Sequence, residues 1–385
     1  MTRLSREEYK HLDYIVVGSG FFGATMAEQI SRRLGRKVLV LEKRSHIGGN
    51  CYSEIDPATG VECHIYGSHI FHTKEREVWD YIRKFSGFNH YRHKVLTTFE
   101  NRVYPMPINL ETINKFFDLC LKPAEVEAFL KKEAGRAGIS RPRNFEEKAV
   151  SLVGRPLYEA FLKGYTIKQW GTSPDDLPAD ILNRIPVRTN YHDAYFDDPY
   201  QGIPSKGYTA VFKEMLKNDN IIVQTDTDFF DIRAELNPEA VIIYSGPIDR
   251  FFNYRHGELG WRTVEFEKQS LVQTPDFQGT AVMNYADPDI PFTRIHEFKH
   301  FHPERKPLAG TTIYREFSKG VSKKDDPYYP IHTARDKEIL SLYQKLAEQT
   351  PGVIFGGRLG SYAYLDMDQT IQKALQLFKT KLLNQ

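Results

Sequence analysis

Short apolar runs, a glycine-rich turn and an amphipathic stretch alternate over the first forty residues of the chain. Residues 13–17 (DYIVV) read as a buried strand, and 37–41 (KVLVL) as a second. Between them, 22–34 carries apolar or small residues at Ala24, Ala27, Ile30 and Leu34, which predicts a helix with one inward face. Strand, turn, helix, strand is a βαβ unit and implies a parallel sheet. From about 109 to 181 the period becomes helical, at 112–119, 123–134 and 145–164, with proline or glycine in between. Strand-like alternation is expected at 188–203 and at 262–318. Residues 207–226 read as helix then strand, and 240–246 (AVIIYSG) as a buried strand. The final segment, from 353, reads as strand, glycine-rich turn and helix.

These elements predict an α/β fold: a Rossmann-like nucleotide-binding domain with a helical insertion and an antiparallel β-sheet domain. The first would be discontinuous, from 10–86, 205–248 and 330–385. The helical domain would span 104–182, and the sheet domain 87–103, 183–204 and 249–329.

Composition narrows the function. The 385 residues include 25 Phe and 22 Tyr, enough to fill a large core and line an aromatic pocket. Lys plus Arg number 52 against 50 Asp plus Glu, a net charge of +2. A general nucleic-acid or membrane-surface binder should be more lopsided. Three cysteines, Cys51, Cys63 and Cys120, form no Cys-x-x-Cys pair and no even disulfide framework. Residues 1–12 are polar and charged, unlike a secretion signal, and no apolar run approaches the ~20 residues that span a bilayer. A soluble cytoplasmic protein is expected.

The turn after the first strand is Gly18-Ser19-Gly20-Phe21-Phe22-Gly23, a G-x-G-x-x-G. The first glycine permits the tight turn, the second lets a diphosphate approach the backbone, and the third lets helix and strand pack closely. The string alone is weak. Here a strand precedes it, a helix follows, and Glu42 ends the second strand, placed to accept hydrogen bonds from ribose hydroxyls. Beyond Glu42 lies HIGGN, 46–50, ending in Asn50; its Gly-Gly pair resembles the second motif of flavoproteins with two dinucleotide-binding domains. The late GGRLG, 356–360, and Tyr364-Leu365-Asp366-Met367-Asp368 resemble the segment that returns to the first domain in such proteins. The resemblance makes FAD the cofactor and Asp366 a contact of its ribityl–pyrophosphate region, beside the plainer role of helix cap.

The chain also resembles bacterial UDP-galactopyranose mutases over nearly its whole length. The matching segments are GSGFFG (18–23), HIGGN (46–50), YGSHIFHT (66–73), GRPLYEAFLKGYTIKQWG (154–171), RIPVR (184–188), GTAVMNYAD (279–287), PFTRIHEFKHF (291–301), DPYYPI (326–331) and GGRLGSYAYLDM (356–367). This resemblance implies interconversion of UDP-galactopyranose and UDP-galactofuranose through a covalent adduct between N5 of reduced FAD and galactose, with no net redox change. The substrate is UDP-galactose and the expected assembly a homo-oligomer. Arg184 and Arg294 match the family's essential arginines, and guanidinium groups fork well onto phosphate oxygens. Tyr195, Tyr329 and Tyr364 match residues whose hydroxyls reach the diphosphate. Phe161, Tyr165, Thr166 and Trp170 fall in the uridine and gate region, and Asn284 matches a nucleotide contact. His69, followed by Ile70, matches a histidine against the isoalloxazine ring, whereas His72 is expected to belong to the surrounding fold. Arg358, Leu365 and Met367 match the flavin-contacting segment. Gly171, Pro174, Pro178, Asp175 and Asp176 give the stretch 170–184 loop chemistry, and a mobile lid carrying Arg184 inward is expected.

Three features compete for attention. His296-Glu297-Phe298-Lys299-His300 matches H-E-x-x-H, a zinc pattern that requires a helix. The segment reads as strand, which would hold the histidines ~13 Å apart, too far to share one metal. Lysines from 319 to 324 read as a solvated loop, and nothing near Cys51 argues for a reactive thiolate. Two rival functions remain: an FAD oxidoreductase acting on another small substrate, and a non-catalytic binding module of the GDP-dissociation-inhibitor type, which is known to share this general fold.

Overall fold

The parallel sheet has five strands, in the order Val353–Phe355, Val241–Tyr244, Tyr14–Val17, Val38–Leu41 and Ile221–Gln224. The computed structural model describes residues 5–184, 186–322 and 325–383; the side chains of residues 6, 180, 183 and 184 lie outside that description. Ile15, Val16 and Val38 are fully buried, as are Leu39 and Val40. Burial on both faces is why these strands read as unbroken apolar runs. Each such side chain contributes roughly 1.5–3 kcal/mol on leaving water.

The helix Phe21–Gln29, prolonged by a π-helical turn at Ile30–Leu34, packs on this sheet. All nine residues of Phe21–Gln29 are buried, although the spacing predicted a single inward face. The difference comes from the far end of the chain. The helix Met367–Phe378 lies against Phe21–Gln29, with Ile371, Ala374, Leu375 and Phe378 in the same core as Phe22, Met26 and Ile30.

A second sheet has seven strands, in the order Tyr329–Pro330, Trp261–Leu271, Thr311–Gly320, Arg294–Glu297, Val282–Tyr285, Val95–Phe99 and Arg102–Met106. It is antiparallel except where Val282–Tyr285 runs parallel to Val95–Phe99. The helices Leu110–Phe117, Pro123–Gly135 and Phe145–Val153 form the insertion.

Three local expectations are corrected. The predicted helix at 145–164 breaks at Gly154, whose φ of 80° suits glycine; a Cβ there would lie 2.8 Å from that of Glu133. Helix resumes at Arg155–Leu157 and passes through a π-helical stretch, Tyr158–Lys163, into Gly164–Trp170. The strand expected at 188–203 survives only as Tyr200–Gly202. Instead the chain wraps around the Arg188 guanidinium, which donates to the carbonyls of His192 and Ala194 and to Asp197. These bonds occupy backbone groups that a ladder would use. At the H-E-x-x-H string the strand stops at Glu297, and Phe298–Phe301 is a 3-10 turn. His296 bonds to Glu316, while His300 lies by Asp276 and Glu297. The two histidines serve different carboxylates.

Candidate active site

The first βα turn opens onto a cavity of about 630 Å³ beyond the carboxyl ends of the parallel strands, the place where open α/β sheets bind ligands. Gly18 has φ 95°, and a Cβ on it would lie 2.3 Å from Ser245 Oγ. On Gly23 a Cβ would lie 1.9 Å from the Gly18 carbonyl oxygen, so helix and strand pack backbone to backbone there. Gly20 differs: its Cβ would stand between the two glycine turns, 3.8 Å from Gly49 Cα, at the cavity wall. Gly20 also begins the helix Phe21–Gln29, and no side chain caps it. The free N–H groups and the helix dipole are thus left for an anion.

Glu42, 5% exposed, lines the same cavity. One carboxylate oxygen accepts from Ser19 N (3.0 Å) and Ser19 Oγ (2.7 Å), the other from Arg44 N (3.0 Å). Arg44 donates to Asn50 and forms an ion pair with Asp326 at 2.6 Å, tying the HIGGN turn to the loop before Tyr328. Gly18, Phe22 and Asn50 complete this end. A narrow glycine cradle, an uncapped helix start and a buried carboxylate fit the diphosphate and ribose of a flavin dinucleotide.

The other end is walled by His69, Arg358, Leu365 and Met367. His69 Nδ1–H donates to Gly67 O at 2.7 Å, which leaves Nε2 as an acceptor. Burial lowers the His69 pKa to about 4, against that hydrogen bond, and Arg358 adds to the shift. The imidazole is therefore neutral near pH 7. Arg358 donates to the carbonyls of Leu365 (2.7 Å) and Tyr328 (3.3 Å). Asp366 is the N-cap residue of Met367–Phe378, its N–H donating to Gln369. It is not in the cavity wall, although its neighbours Leu365 and Met367 are. Gly23, Ile70 and Tyr364 are likewise outside that wall.

Beside this cavity lies an arginine centre, a half-buried Arg294 against a buried Glu316. Arg294 starts the strand Arg294–Glu297, directly across from Glu316 on Thr311–Gly320. Its guanidinium donates to the Tyr165 hydroxyl and lies 3.2 Å from the Glu316 carboxylate. Its Nε is buried with no hydrogen bond in line. Burial is the largest single influence and opposes the Arg294 charge, but Glu316, Tyr165, Tyr329 and Tyr195 together outweigh it and raise the pKa. Burial would raise Glu316, yet Arg294 and then His296 hold it down at about 2. Tyr329 stacks on Tyr364, with ring centroids 5.9 Å apart, and the Tyr364 ring lies 4.7 Å from Arg358. Tyr329, which acts electrostatically on Arg294, thus begins a row, Tyr329, Tyr364, Arg358, that leads to the wall of the cofactor cavity.

Residues 160–364 match the family model of UDP-galactopyranose mutase, and 16–85 that of an NAD(P)-binding Rossmann-like domain. The "probable UDP-galactopyranose mutase" of Klebsiella pneumoniae is 44% identical over 94% of this chain and 92% of that one. The chain belongs to the UDP-galactopyranose mutase family. The dTDP-fucopyranose mutase of Escherichia coli is 39% identical, with 94% and 96% covered, and the UDP-galactopyranose mutase of Mycoplasma pneumoniae is 29% identical, with 95% of each covered. A crystal structure of reduced UDP-galactopyranose mutase superposes with TM-score 0.73 at 14% identity, over 97% and 94% of the two chains. A putative protoporphyrinogen oxidase from Exiguobacterium superposes with TM-score 0.63 at 10% identity, over 97% and 99%. At such identities the superpositions speak for the fold alone.

For a UDP-galactopyranose mutase family member, the expected nucleotide-site residues fall unevenly. Tyr165 and Trp170 are half-buried on the helix Gly164–Trp170, and Thr166 is 5% exposed. The Asn284 side-chain amide oxygen is buried without a hydrogen-bond partner, an acceptor open to a donor. Phe161 instead sits in the core, 3% exposed, among Phe99, Tyr104 and Phe116. Tyr195 is 40% exposed. Residues 174–176 and 179–184 are 3-10 turns, and the Arg184 side chain lies outside the described residues. His72 bonds to Asp198 at 2.6 Å and stacks on Phe196. Sequence reasoning missed Glu316, Ser19 and Arg44.

Proposed function

We propose that this chain interconverts UDP-galactopyranose and UDP-galactofuranose, with FAD in the 630 Å³ cavity and the nucleotide sugar's diphosphate at Arg294. The arginine centre carries this reading. Its row of aromatic rings ends at Arg358, on the wall where His69 also stands. A substrate anchored there by its diphosphate would bring its sugar to the cofactor. Glu316 offsets the Arg294 charge, so a diphosphate of about two negative charges calls for a further cation, and Arg184 supplies it by its place in the sequence.

Held by Gly20, Glu42, Asn50, His69 and Arg358 in the cavity wall, a reduced flavin would supply an electron-rich nucleophile for the anomeric centre with no net redox change. The protein's residues do the rest. Arg294 and Arg184 steady the charge of departing UDP, and the Tyr165, Tyr195, Tyr329 and Tyr364 hydroxyls orient its phosphates. Asn284 accepts from the nucleobase, with Thr166 and Trp170 beside it. His69, neutral and with Nε2 free as acceptor, takes a hydrogen bond from the cofactor. Three free cysteines suit a reducing cytoplasm, and a homo-oligomer is the expected assembly.

The 39% identity to a dTDP-fucopyranose mutase makes the nucleotide the point to test. Dithionite-reduced protein should isomerise UDP-galactofuranose at least tenfold faster than it isomerises dTDP-fucopyranose, as read by chromatography of products. A reversed preference would assign the chain to the dTDP-sugar.

A further inference from the structure

Lys168 lies half-buried on the helix that carries Tyr165, Thr166 and Trp170; its ammonium forms no ion pair among the described residues, though the Asp287 carboxylate acts on it electrostatically. It is surrounded instead by backbone. Its Nζ donates toward the carbonyl oxygens of Tyr285 (2.6 Å), Asp287 (2.9 Å), Ile290 (3.0 Å) and Phe292 (3.3 Å). Tyr285 ends the strand of Asn284, and the other three lie in the loop that joins it to the strand of Arg294. An ammonium offers three N–H groups, so four converging carbonyls use every one of them.

One turn earlier the same helix meets the same loop at its backbone. A Cβ on Gly164 would lie 2.4 Å from the Ala286 carbonyl oxygen. The loop has other ties: Tyr285 N bonds to Thr293 O and Ala286 N to Thr98 O near its ends, and Ile290 N donates to Asp287 O. The Asp287 carboxylate accepts from Glu100 N, and the Phe292 ring packs on Tyr285 and Phe317. Between Asp287 and Phe292, Lys168 adds a tie from the helix to three carbonyls at once. Without the ammonium, the Tyr285, Ile290 and Phe292 carbonyls would lose this donor and Asp287 O would keep only Ile290 N, so the loop should loosen from the helix.

We propose that Lys168 is a positioning residue for nucleotide binding: its ammonium fixes the distance between Tyr165 and Arg294 by holding the 285–292 loop to the Gly164–Trp170 helix. The hydrogen bond from Arg294 to Tyr165 spans these two elements, and Asn284 lies at the loop's other root. Lys168 touches neither sugar nor phosphate. The inference rests on the nucleotide site proposed above.

The test uses FAD-loaded Lys168→Ala and measures UDP affinity by calorimetry, alongside flavin content, melting temperature and kinetics. Flavin content should be unchanged, UDP should bind at least tenfold more weakly, and KM should rise more than kcat falls. Propylammonium, which replaces the missing atoms, should restore most of the lost affinity, and n-propanol should not. Wild-type affinity in Lys168→Ala would overturn the proposal. So would a loss of UDP affinity that propylammonium leaves untouched, since that would mark a general defect of folding. If Lys168→Ala does not load FAD, Lys168→Arg takes its place, because a planar guanidinium cannot reach four converging oxygens; unaltered UDP affinity there would overturn the proposal equally. Failure of the wild-type protein to bind UDP would instead remove the nucleotide site itself.

Discussion

At the scale of single residues, the site is defined by buried charges and by two positions where a side chain cannot fit. Arg294 is held cationic and Glu316 anionic in one cross-strand pair, and removing either would leave the other uncompensated. Arg294→Ala should therefore lower kcat by about 10²–10³, the usual cost of losing one donor to a developing charge. It should retain its yellow colour, since Arg294 is not in the wall of the cofactor cavity. Near-wild-type turnover would remove Arg294 from the leaving-group role. Gly23→Ala tests the glycine turn. A Cβ 1.9 Å from the Gly18 carbonyl forces helix and strand apart, at a cost of about 3 kcal/mol. Its melting temperature should fall and FAD be lost; an unshifted melt would contradict the packing.

At the scale of elements, the first βα unit was readable because three independent signals agree there: a buried strand, a glycine turn and an acidic residue ending the next strand. Glu42 emerged with a second duty. It pins Ser19, inside the turn, through both the backbone N–H and the hydroxyl. Glu42→Ala would free the turn as well as remove a ribose acceptor, so FAD should dialyse away at least tenfold faster than from the wild type. Unchanged occupancy would exclude Glu42 from the site. Less was readable where backbone groups pair with side chains. Alternation at 188–203 imitates a strand, but the Arg188 guanidinium claims its carbonyls. The helix period at 145–164 runs on through Gly154 because periodicity is blind to φ. Phe161 lies inside a functional motif, yet packs into the core. Glu316 was overlooked because no motif marks it; only register, which local pattern does not fix, sets it opposite Arg294.

At the scale of the molecule, the two ends of the chain close one core and one cavity: Gly20 and Phe22 from the start, Arg358, Leu365 and Met367 from the end. Three histidines are held neutral: His64 and His93 are buried, and His69 is half-buried in the cavity wall. Burial brings His64 to about 3, His69 to about 4 and His93 to about 3, against about 6.5 in an unfolded chain. Their folded values are the lower ones, so the unfolded state binds protons first as pH falls. Stability is then highest above about 6.5 and is lost progressively toward pH 4. Glu62 and Glu316, both held near 2, add their loss only below the usual carboxylate range. The melting temperature should drop by about 5–10 °C between pH 7 and pH 5; a flat profile would mean that these histidines are not buried neutral.

The central claim is that the cofactor and the arginine centre act together on one nucleotide sugar and that no electrons are consumed. Counting turnovers after a single reduction tests it most directly. Anaerobic protein reduced once with dithionite, freed of excess reductant and given UDP-galactofuranose, should convert many equivalents per flavin to UDP-galactopyranose while the flavin stays bleached. Conversion that stops after one equivalent, with the yellow colour returning, would show net hydride transfer and contradict the account.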